Sequence, residues 1–421
     1  MSIGVRYPPV RVPLPDRLGP LAERDFRLLF SATTVTTLGD SVGNIALAFA
    51  VLHFGSATDL GLVLATRSGV NAALVLVGGV VADRLPRHLV LAGASLLQGA
   101  AQAATAGLVL SGHATVELLI ALQALYGVGD GFVVPAEVGL VPQTVSPERL
   151  QQANALQGLS RNIVFAVGPA VGGALVVAGS PGIALAVDAA SFAVCALVLE
   201  KIRVPAPVRE PGEGFFHELR AGWSEFTRHT WLWASVGLFA LGNFVWVGCW
   251  VVLGPTIATH HLGGARAWAT ILAVFGVGSV VGGLTALRIR PSRPLLVSVV
   301  APAPFVIELV ALSFPAPVWL LALVSFAGGI GLSIHLALWF TVFQREIPEH
   351  ARSRVVSYDA LGSFVLIPLS LGVAGPIAEA AGFRATLLGA AALNAACLLA
   401  IVALPSVRAI RTPAATTMPA G

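Results

Sequence analysis

The stretch "GGVVADRLPRHLVL", residues 78–91, places one acid, two arginines and one proline between two long apolar runs. So short a charged turn between such runs is typical of a membrane surface, because a run of about 20 apolar residues crosses the bilayer. The whole chain agrees: of its 421 residues 56% are hydrophobic and only 11% charged, against about 25% charged in a soluble domain. Spanning backbone must pair its own polar groups, so we predict an all-α membrane protein.

Apolar segments long enough to span the membrane occur twelve times. They are 28–53, 59–82, 88–110, 115–138, 153–178, 181–200, 231–253, 267–287, 294–313, 317–343, 355–378 and 383–404. Lysine and arginine accumulate in cytoplasmic loops and therefore test the count. Arg266 and Arg384 fall in predicted outer loops and Arg67 inside a helix, while the rest of the 25 fall on the other side. We therefore predict a cell-membrane protein with both termini cytoplasmic.

The longest polar break, 201–230, divides these segments into two sets of six. Short motifs recur across the break, which indicates a duplicated bundle with a pseudo-two-fold axis. The recurring pairs include Pro147-Glu148 with Pro348-Glu349, and Gly168-Pro169 with Gly375-Pro376.

The predicted organisation has five parts, and the linker contains an amphipathic helix with Phe215, Leu219, Trp223 and Phe226 on one face. They are a cytoplasmic tail at 1–27, a bundle at 28–200, the linker at 201–230, a bundle at 231–404 and a tail at 405–421.

Several kinds of chemistry are excluded by missing motifs. The only lysine, Lys201, follows Glu200, so there is no Walker A loop. We find no H-E-x-x-H or G-x-S-x-G motif and no cysteine spacing that would bind a metal. The pair His260-His261 lacks a third ligand. We therefore expect no enzyme, no metal, no cofactor and no nucleic-acid partner.

The opening turn resembles the signature loop of the major facilitator superfamily, G-x-L-a-D-r-x-G-r-r. The matching residues are Gly79, Asp83, Arg84 and Arg87. Pro86 and His88 depart from the family pattern, which has a glycine and a basic residue there. The resemblance implies that this loop latches the two halves on the cytoplasmic side in the outward-facing state. The alternative is a charge cluster that only sets orientation in the membrane.

A second motif, "GPAVGG" at 168–173, is similar to the antiporter motif of drug exporters. Its residues are Gly168, Pro169, Gly172 and Gly173. Small residues let helices approach closely, and proline frees a backbone carbonyl, so close packing alone is the alternative.

Further matches over about 24–405 look like the twelve-helix branch that includes drug, macrolide and siderophore exporters. The resemblance implies the major facilitator fold, with 12 transmembrane helices in two pseudo-symmetric six-helix bundles. The fourth-helix signature is broken, because Gln123 replaces its arginine and Tyr126 its glutamine. Proton coupling here must therefore differ from that of relatives or be absent.

Three charges fall deep inside predicted spans: Asp40, Arg67 and Asp130. A charge at the bilayer centre costs at least ~2.5–3.5 kcal/mol, so few should remain without a use. We predict that at least one acid titrates for proton coupling, with Asp40 favoured and Arg67 biasing it. The alternative is a fixed ion pair. Asp188 and Glu308 are interpreted as structural or wet.

Polar and aromatic side chains at helical spacing predict a substrate cavity. The candidates are Asn44, Gln123, Asn243, Trp246, His335 and Trp339. Aromatic walls suit amphiphilic cargo and can hold a cation over a ring. Trp250, nearer the outer end, is instead interpreted as an interface anchor.

These features together predict a monomeric exporter of a small hydrophobic or amphiphilic compound, driven by a proton gradient through alternating access. Its expected partners are the small-molecule substrate, protons and the lipid bilayer. An importer or facilitator of a small solute, and a membrane sensor or scaffold without transport, are the alternatives.

Overall fold

The structure, a computed structural model, describes residues 19–82, 84–204 and 223–412. Within these ranges it is built of helices and contains no β-strand. The helices of the first half are α1 (Arg24–Phe54), α2 (Ala57–Ala82), α3 (Arg87–Ser111), α4 (Val116–Thr144), α5 (Leu150–Ala178) and α6 (Pro181–Leu199).

The second half repeats this number of long helices. They are α7 (Thr230–Leu262), α8 (Ala265–Ala286), α9 (Pro294–Ser313), α10 (Val318–Glu346), α11 (segments Glu349–Phe364 and Ile367–Ala381) and α12 (Phe383–Ala403), followed by the short α13 (Pro405–Ala409). Two π-helical turns, Cys249–Leu253 and Ala258–Leu262, lie in α7.

Eleven helices in the described ranges are long and apolar enough to cross a membrane. The remaining predicted span, 59–82, coincides with α2, a helix of 26 residues. At 1.5 Å per residue its length is about 39 Å, more than a hydrocarbon core of about 30 Å. The all-α membrane class is confirmed, while twelve spans and cytoplasmic termini stay predictions.

Three predicted boundaries differ from the structure. Helix α7 continues to Leu262, where Gly263 and Gly264, at φ 92° and 77°, end it, so the predicted outer loop with His260-His261 is helical. The predicted span 355–378 is broken between Phe364 and Ile367 into two helical segments. The predicted C-terminal tail begins with a packed turn, in which Val407 is fully buried.

The predicted linker, 201–230, is described at 201–204 and from residue 223 onward, and 1–18 and 205–222 lie outside the described residues. Trp223 is 53% exposed, as a membrane-surface helix requires. Phe226 instead is buried among side chains of the second half, including Trp231 and Leu232. The apolar face of this helical turn is therefore used partly inside the protein.

The two halves use the same helix pairings. In the first half α1 packs on α5 and α6, α2 on α4, and α3 on α4 and α6. In the second half α7 packs on α11 and α12, α8 on α10, and α9 on α10 and α12. Between the halves, α5 meets α8 and α2 meets α11. Since α5 corresponds to α11 and α2 to α8, these two contacts are related by the same pseudo-two-fold repeat.

The hydrophobic core shows which end of the molecule is closed. We call the end at which α1 begins the inner end, and the opposite end the outer end. Toward the outer end a single cluster of buried side chains joins both halves, with Leu47 and Leu60 against Leu253 and Leu371 among its members. At the inner end each half has its own cluster. Among the described residues, the halves therefore share one core at the outer end, which seals it, and have separate cores at the inner end.

Glycines make the outer seal possible. An added Cβ at Gly375 of α11 would meet the backbone of Thr58 in α2, and one at Gly61 would meet the carbonyl of Leu371. Backbone atoms cannot rotate away as a side chain does. The close approach of α2 to α11 therefore requires glycine at these positions.

We expect Gly375→Ala to lower the free energy of unfolding by about 1–3 kcal/mol, because the added methyl overpacks the seam between α2 and α11. The measurement is thermal unfolding of the purified protein in detergent. Gly389 of α12 has no atom within 4 Å of an added Cβ, so Gly389→Ala is the matched control and should be neutral or stabilising by up to about 1 kcal/mol. Equal melting temperatures for the two variants would contradict the seam.

Candidate functional site

Arg67, on α2, is the centre of an ionic cluster in the first half. Its Nε donates to Oδ2 of Asp130 at 2.9 Å, and its Nη1 donates to Oδ1 of Asn44 at 3.1 Å. Its Nη2 lies 3.9 Å from Oδ1 of Asp40. The guanidinium also lies 3.9 Å above the ring centre of Tyr126. One cation thus connects α2 to α1 and α4.

The two acids of this cluster are held differently. Asp130 accepts a second bond, from Nε2 of Gln98 at 2.7 Å, and its side chain is 19% exposed. Asp40 accepts from the hydroxyl of Tyr126 and has a more distant contact with Arg67. Its side chain is 33% exposed. Asp130 is therefore a fixed counter-ion, whereas Asp40 is the more loosely held and more exposed acid.

Small residues on α4 bring the helices of this cluster together. An added Cβ at Gly127 would meet backbone atoms of Arg67, and one at Gly129 would meet the side chain of Gln98. Gly131 lies against Leu74 in the same way. Without these glycines α4 could not lie close enough to α2 and α3 for Asp130 to reach both donors.

Asp188 is a further buried acid behind α1, at 1% exposure. Its Oδ2 accepts from Nε2 of Gln102 at 2.6 Å, and its Oδ1 has no hydrogen-bond partner among the described residues. The carboxylate lies against Gly39 and Gly43, where a side chain would displace it. The structure agrees with a structural role for Asp188. It does not agree with exposure of this side chain to solvent.

A small polar groove lies inward of the ionic cluster. It is lined by Thr33 and Thr37 of α1 and by Glu137 and Ser160 of α4 and α5. Glu137 accepts from Arg161 at 2.8 Å at the rim. Thr37 precedes Asp40 by about one turn of α1, so polar side chains follow the cluster toward the inner end.

The second half contains a cavity with aromatic walls. Six of its lining residues are Asn243, Trp246, Phe305, His335, Trp339 and Asp359. Trp246 stacks on Phe305 with ring centres 4.3 Å apart. The structure therefore brings together four sequence candidates, Asn243, Trp246, His335 and Trp339, around one space.

Hydrogen bonds fix the polar groups of this cavity. Asn243 Nδ2 donates to the carbonyl of Ser363 at 3.1 Å, and His335 Nδ1 lies 3.0 Å from Oγ of Ser298. Trp339 Nε1 donates to Oδ2 of Asp359 at 3.1 Å. These bonds hold the aromatic rings and the carboxylate in place before any cargo enters.

Sequence reasoning missed Asp359 as well as Tyr126 and Gln98, the two neutral donors of the ionic cluster. Asp359 lies in the inner, polar segment of α11, where a charge signals a membrane surface rather than a cavity. Tyr126 and Gln98 fall within apolar runs as single polar residues. The spacing of single polar residues does not show which helix they face.

Three sequence interpretations are corrected by the packing. Gln123 is fully buried rather than cavity-lining, since it lies two turns of α4 outward from Asp130, within the sealed part. Trp250 is 6% exposed and packs on Trp268 at 4.6 Å, so it is not an interface anchor. Glu308 is fully buried and accepts from the hydroxyl of Ser325, so it is not wet.

The predicted latch is described only in part, since Asp83 lies outside the described residues. Arg84 is exposed, and Arg87 Nη1 donates to the carbonyl of Gly139 at 2.7 Å, a contact inside the first half. An added Cβ at Gly79 would meet nothing within 4 Å. The role of these residues as a latch stays a prediction.

The antiporter-type motif is a packing surface of α5. Gly168 and Gly172 lie against α1, where an added Cβ would meet Ser41 and Val42 respectively. Gly173 lies against α8 of the other half. The motif therefore packs α5 against α1 of the same half and against α8 of the other half. A role in antiport beyond this packing stays a prediction.

The sequence matches one described family over most of its length. Residues 29–369 match the Major Facilitator Superfamily. The multidrug efflux pump Tap of Mycolicibacterium fortuitum is 28% identical over 380 residues, covering 86% of this chain and 90% of that protein. The enterobactin exporter EntS of Escherichia coli O1:K1 / APEC is 27% identical over 388 residues, again covering 86% and 90%. The resemblance inferred from the motifs is confirmed.

Solved structures with low sequence identity have the same fold. A bacterial homologue of the human lysosomal transporter Spinster, inward-facing and unoccupied, aligns with a TM-score of 0.69 at 16% identity, covering 94% of this chain and 99% of that one. A bacterial homologue of the iron transporter ferroportin, also inward-facing, aligns with a TM-score of 0.68 at 17% identity, covering 90% and 99%. These likenesses confirm the predicted fold class.

We expect Arg67→Met to lower the free energy of unfolding by about 3–5 kcal/mol, because it leaves Asp130 buried without its cation. Adding Asp130→Asn to that variant should recover most of the loss, since the unpaired charge is then removed. Thermal unfolding in detergent, read as a double-mutant cycle, measures both. Arg24→Met, which removes a pair whose side chains are 56% and 26% exposed, is the control and should cost less than about 1 kcal/mol. Additive effects of the two substitutions at the cluster would contradict the pairing.

Proposed function

Because the chain belongs to the major facilitator superfamily, and so is a multi-pass transporter of the cell membrane, we propose that it exports a small hydrophobic or amphiphilic compound in exchange for protons. A transporter is not an enzyme, in agreement with the missing catalytic motifs. The direction of transport is supported by the two relatives, which are named as an efflux pump and an exporter. Both relatives align over nearly their full length, which favours a shared direction.

The observation that carries the proton coupling is that two carboxylates share one arginine. With Asp40 and Asp130 both ionised, the cluster around Arg67 has a net charge of minus one in a partly dry site. Desolvation and the repulsion between the two acids favour adding one proton, while Arg67 opposes it. A site balanced in this way changes its protonation when its surroundings change, whereas an isolated ion pair does not.

Asp40 is the acid that takes the proton. Its distance to Arg67 is 3.9 Å, against 2.9 Å for Asp130, and its side chain is the more exposed of the two. Both oxygens of Asp130 already accept a bond, Oδ2 from Arg67 and Oδ1 from Gln98, so a proton on either oxygen would compete with one of these donors. Protonated Asp40 can still accept the bond from Tyr126 through its other oxygen.

Alternating access follows from the seal at the outer end. In the present state, protons reach Asp40 through the polar groove at the inner end, and cargo reaches the cavity of the second half by the same opening. Parting the outer ends while closing the inner ones would expose both sites to the other side. Asp40 then takes a proton from outside and releases it inside, and cargo moves the opposite way.

The energy available is sufficient for useful export. One elementary charge that moves through 100 mV supplies about 2.3 kcal/mol, and about 1.4 kcal/mol corresponds to a tenfold concentration ratio. One proton exchanged for one neutral molecule can therefore sustain a gradient of about 40-fold. Exchange for a singly charged cation moves no net charge, and the pH difference then supplies the energy, about tenfold in cargo concentration per pH unit. Both sites lie within one chain, so the proposed unit is a monomer that needs no cofactor besides the proton gradient.

We expect Asp40→Asn to abolish the accumulation of amphiphilic dyes that a pH gradient drives, because residue 40 can no longer release a proton. Inverted membrane vesicles that contain the protein are acidified inside, and uptake of ethidium, Hoechst 33342 and rhodamine 6G is followed by fluorescence. Wild-type protein should accumulate at least one dye and lose it when an uncoupler is added. Exchange of labelled for unlabelled dye without a gradient should persist in Asp40→Asn.

Asp25→Asn is the matched control, since Asp25 lies on the same helix and pairs with Arg24 near the inner end. This variant should accumulate dye as the wild type does. Gradient-driven accumulation that survives Asp40→Asn would remove this residue from the coupling mechanism. Dye uptake only in right-side-out vesicles would identify an importer.

A further inference from the structure

We propose that the cavity of the second half binds an organic cation with an apolar, aromatic body, and that Asp359 neutralises its charge. This inference rests on the proposed export function and names the class of cargo. It assigns a binding role to a residue that no sequence motif indicated.

Asp359 is a buried acid that faces the cavity. It is 8% exposed, and it lines the space together with the aromatic rings. Trp339 donates one hydrogen bond to it, and none of the described residues forms an ion pair with it. No lysine or arginine is among the described residues that line the cavity. An ionised carboxylate so placed requires a cation, because a buried charge is costly unless it is paired.

The contrast with Asp130 shows what is missing. Asp130 has a similar environment inside the first half, but Arg67 and Gln98 provide it with a cation and an amide donor. Asp359 has one neutral donor in the described part of the chain and open space on its other side. A cargo with a positive group placed in that space would supply the missing partner.

The walls of the cavity suit the rest of such a molecule. Trp246 and Phe305 are stacked with ring centres 4.3 Å apart, and Phe239 meets Trp339 edge-on at 5.5 Å. The faces of these rings are electronegative and attract a cation, and their area buries an apolar body. Trp339 combines both functions, since its indole N–H orients Asp359 while its ring forms a wall.

The pairing of charges also favours the second half as the place for the cation. In the first half both acids already have Arg67 as a cationic partner. Asp359, on the other side of the opening, accepts one bond from neutral Trp339 and has no cationic partner among the described residues. Cargo and proton therefore occupy different halves, which keeps the cargo from neutralising Asp40 directly.

The test compares two probes of nearly the same shape and opposite charge, tetraphenylphosphonium and tetraphenylborate. Binding to the purified protein in a neutral detergent is followed by quenching of tryptophan fluorescence, since Trp246 and Trp339 line the cavity. We expect wild-type protein to bind the phosphonium at least tenfold more tightly than the borate. Asp359→Asn should weaken phosphonium binding at least tenfold without weakening borate binding. Asp359→Glu should keep the preference for the cation.

Glu346→Gln is the control, since Glu346 is an acid of the second half that lies away from the cavity and pairs with Arg345. It should bind both probes as the wild type does. The inference is overturned if wild-type protein shows no preference for the phosphonium, or if folded Asp359→Asn retains that preference. Melting temperatures of the variants establish that they are folded. No pH gradient is used, so failure here leaves the transport test of Asp40 standing.

Discussion

The first half of this transporter depends on one constraint: a single arginine must satisfy two carboxylates inside a membrane-spanning bundle. Arg67 contacts Asp40 and Asn44 on α1 and Asp130 on α4. Removing a partner from such a pair leaves a buried charge, at a cost of about 3–5 kcal/mol. The same contacts that hold three helices together therefore create the excess negative charge on which proton coupling is proposed to rest. Stability and function are here properties of the same few atoms.

The second half has an aromatic cavity where the first half has the ionic cluster around Arg67. Trp246 follows Asp40 by 206 residues and His335 follows Asp130 by 205, close to the offsets of the recurring motifs. Equivalent positions on α1 and α7, and on α4 and α10, thus have acids in one half and rings in the other. An ionic cluster excludes apolar cargo, whereas an aromatic wall attracts it. The duplication allowed each half to be adapted to a different ligand.

The sequence predicted the ionic cluster because charge is rare inside spanning segments. Asp40, Arg67 and Asp130 stand alone in apolar runs, and unpaired charges there are costly, so an association among them was expected. The sequence does not show which donors complete the cluster, because Tyr126 and Gln98 are as consistent with packing as with bonding. Which side chains pair across helices depends on how closely the helices pack, and here the glycines of α4 allow close packing against α2 and α3. The spacing of residues along one helix does not show this packing.

The fold class, most helix bounds to within four residues, and four cavity residues could also be read from the sequence; the ends of α4 and α7 and the start of α11 could not. Gln123 and Asp359 show the limit. Gln123 lies on the same face of α4 as Asp130, but it is nearer the outer end, where the two halves are sealed together. The helical spacing of residues does not show which end of the molecule is sealed. Asp359 shows the opposite error. Its polar neighbours in the sequence indicate a membrane surface, whereas the residue lines the cavity. Only the broken course of α11 brings it into the cavity.

The distance between the two sites determines how they must communicate. Since the proposed proton and cargo sites lie in different halves, they cannot compete for the same atoms, and the proposed coupling requires the halves to move against each other. Helix α5 is placed to transmit that motion: Gly172 lies against Val42, two residues from Asp40, and Gly173 lies against α8 across the seam. Gly172 meets the backbone of Val42 and Gly173 meets the methyl group of Ala269, so no long side chain is present to absorb a shift. In the proposed mechanism, a displacement of α1 on protonation of Asp40 would therefore move α5 against α8, and with it the seal that decides which end is open.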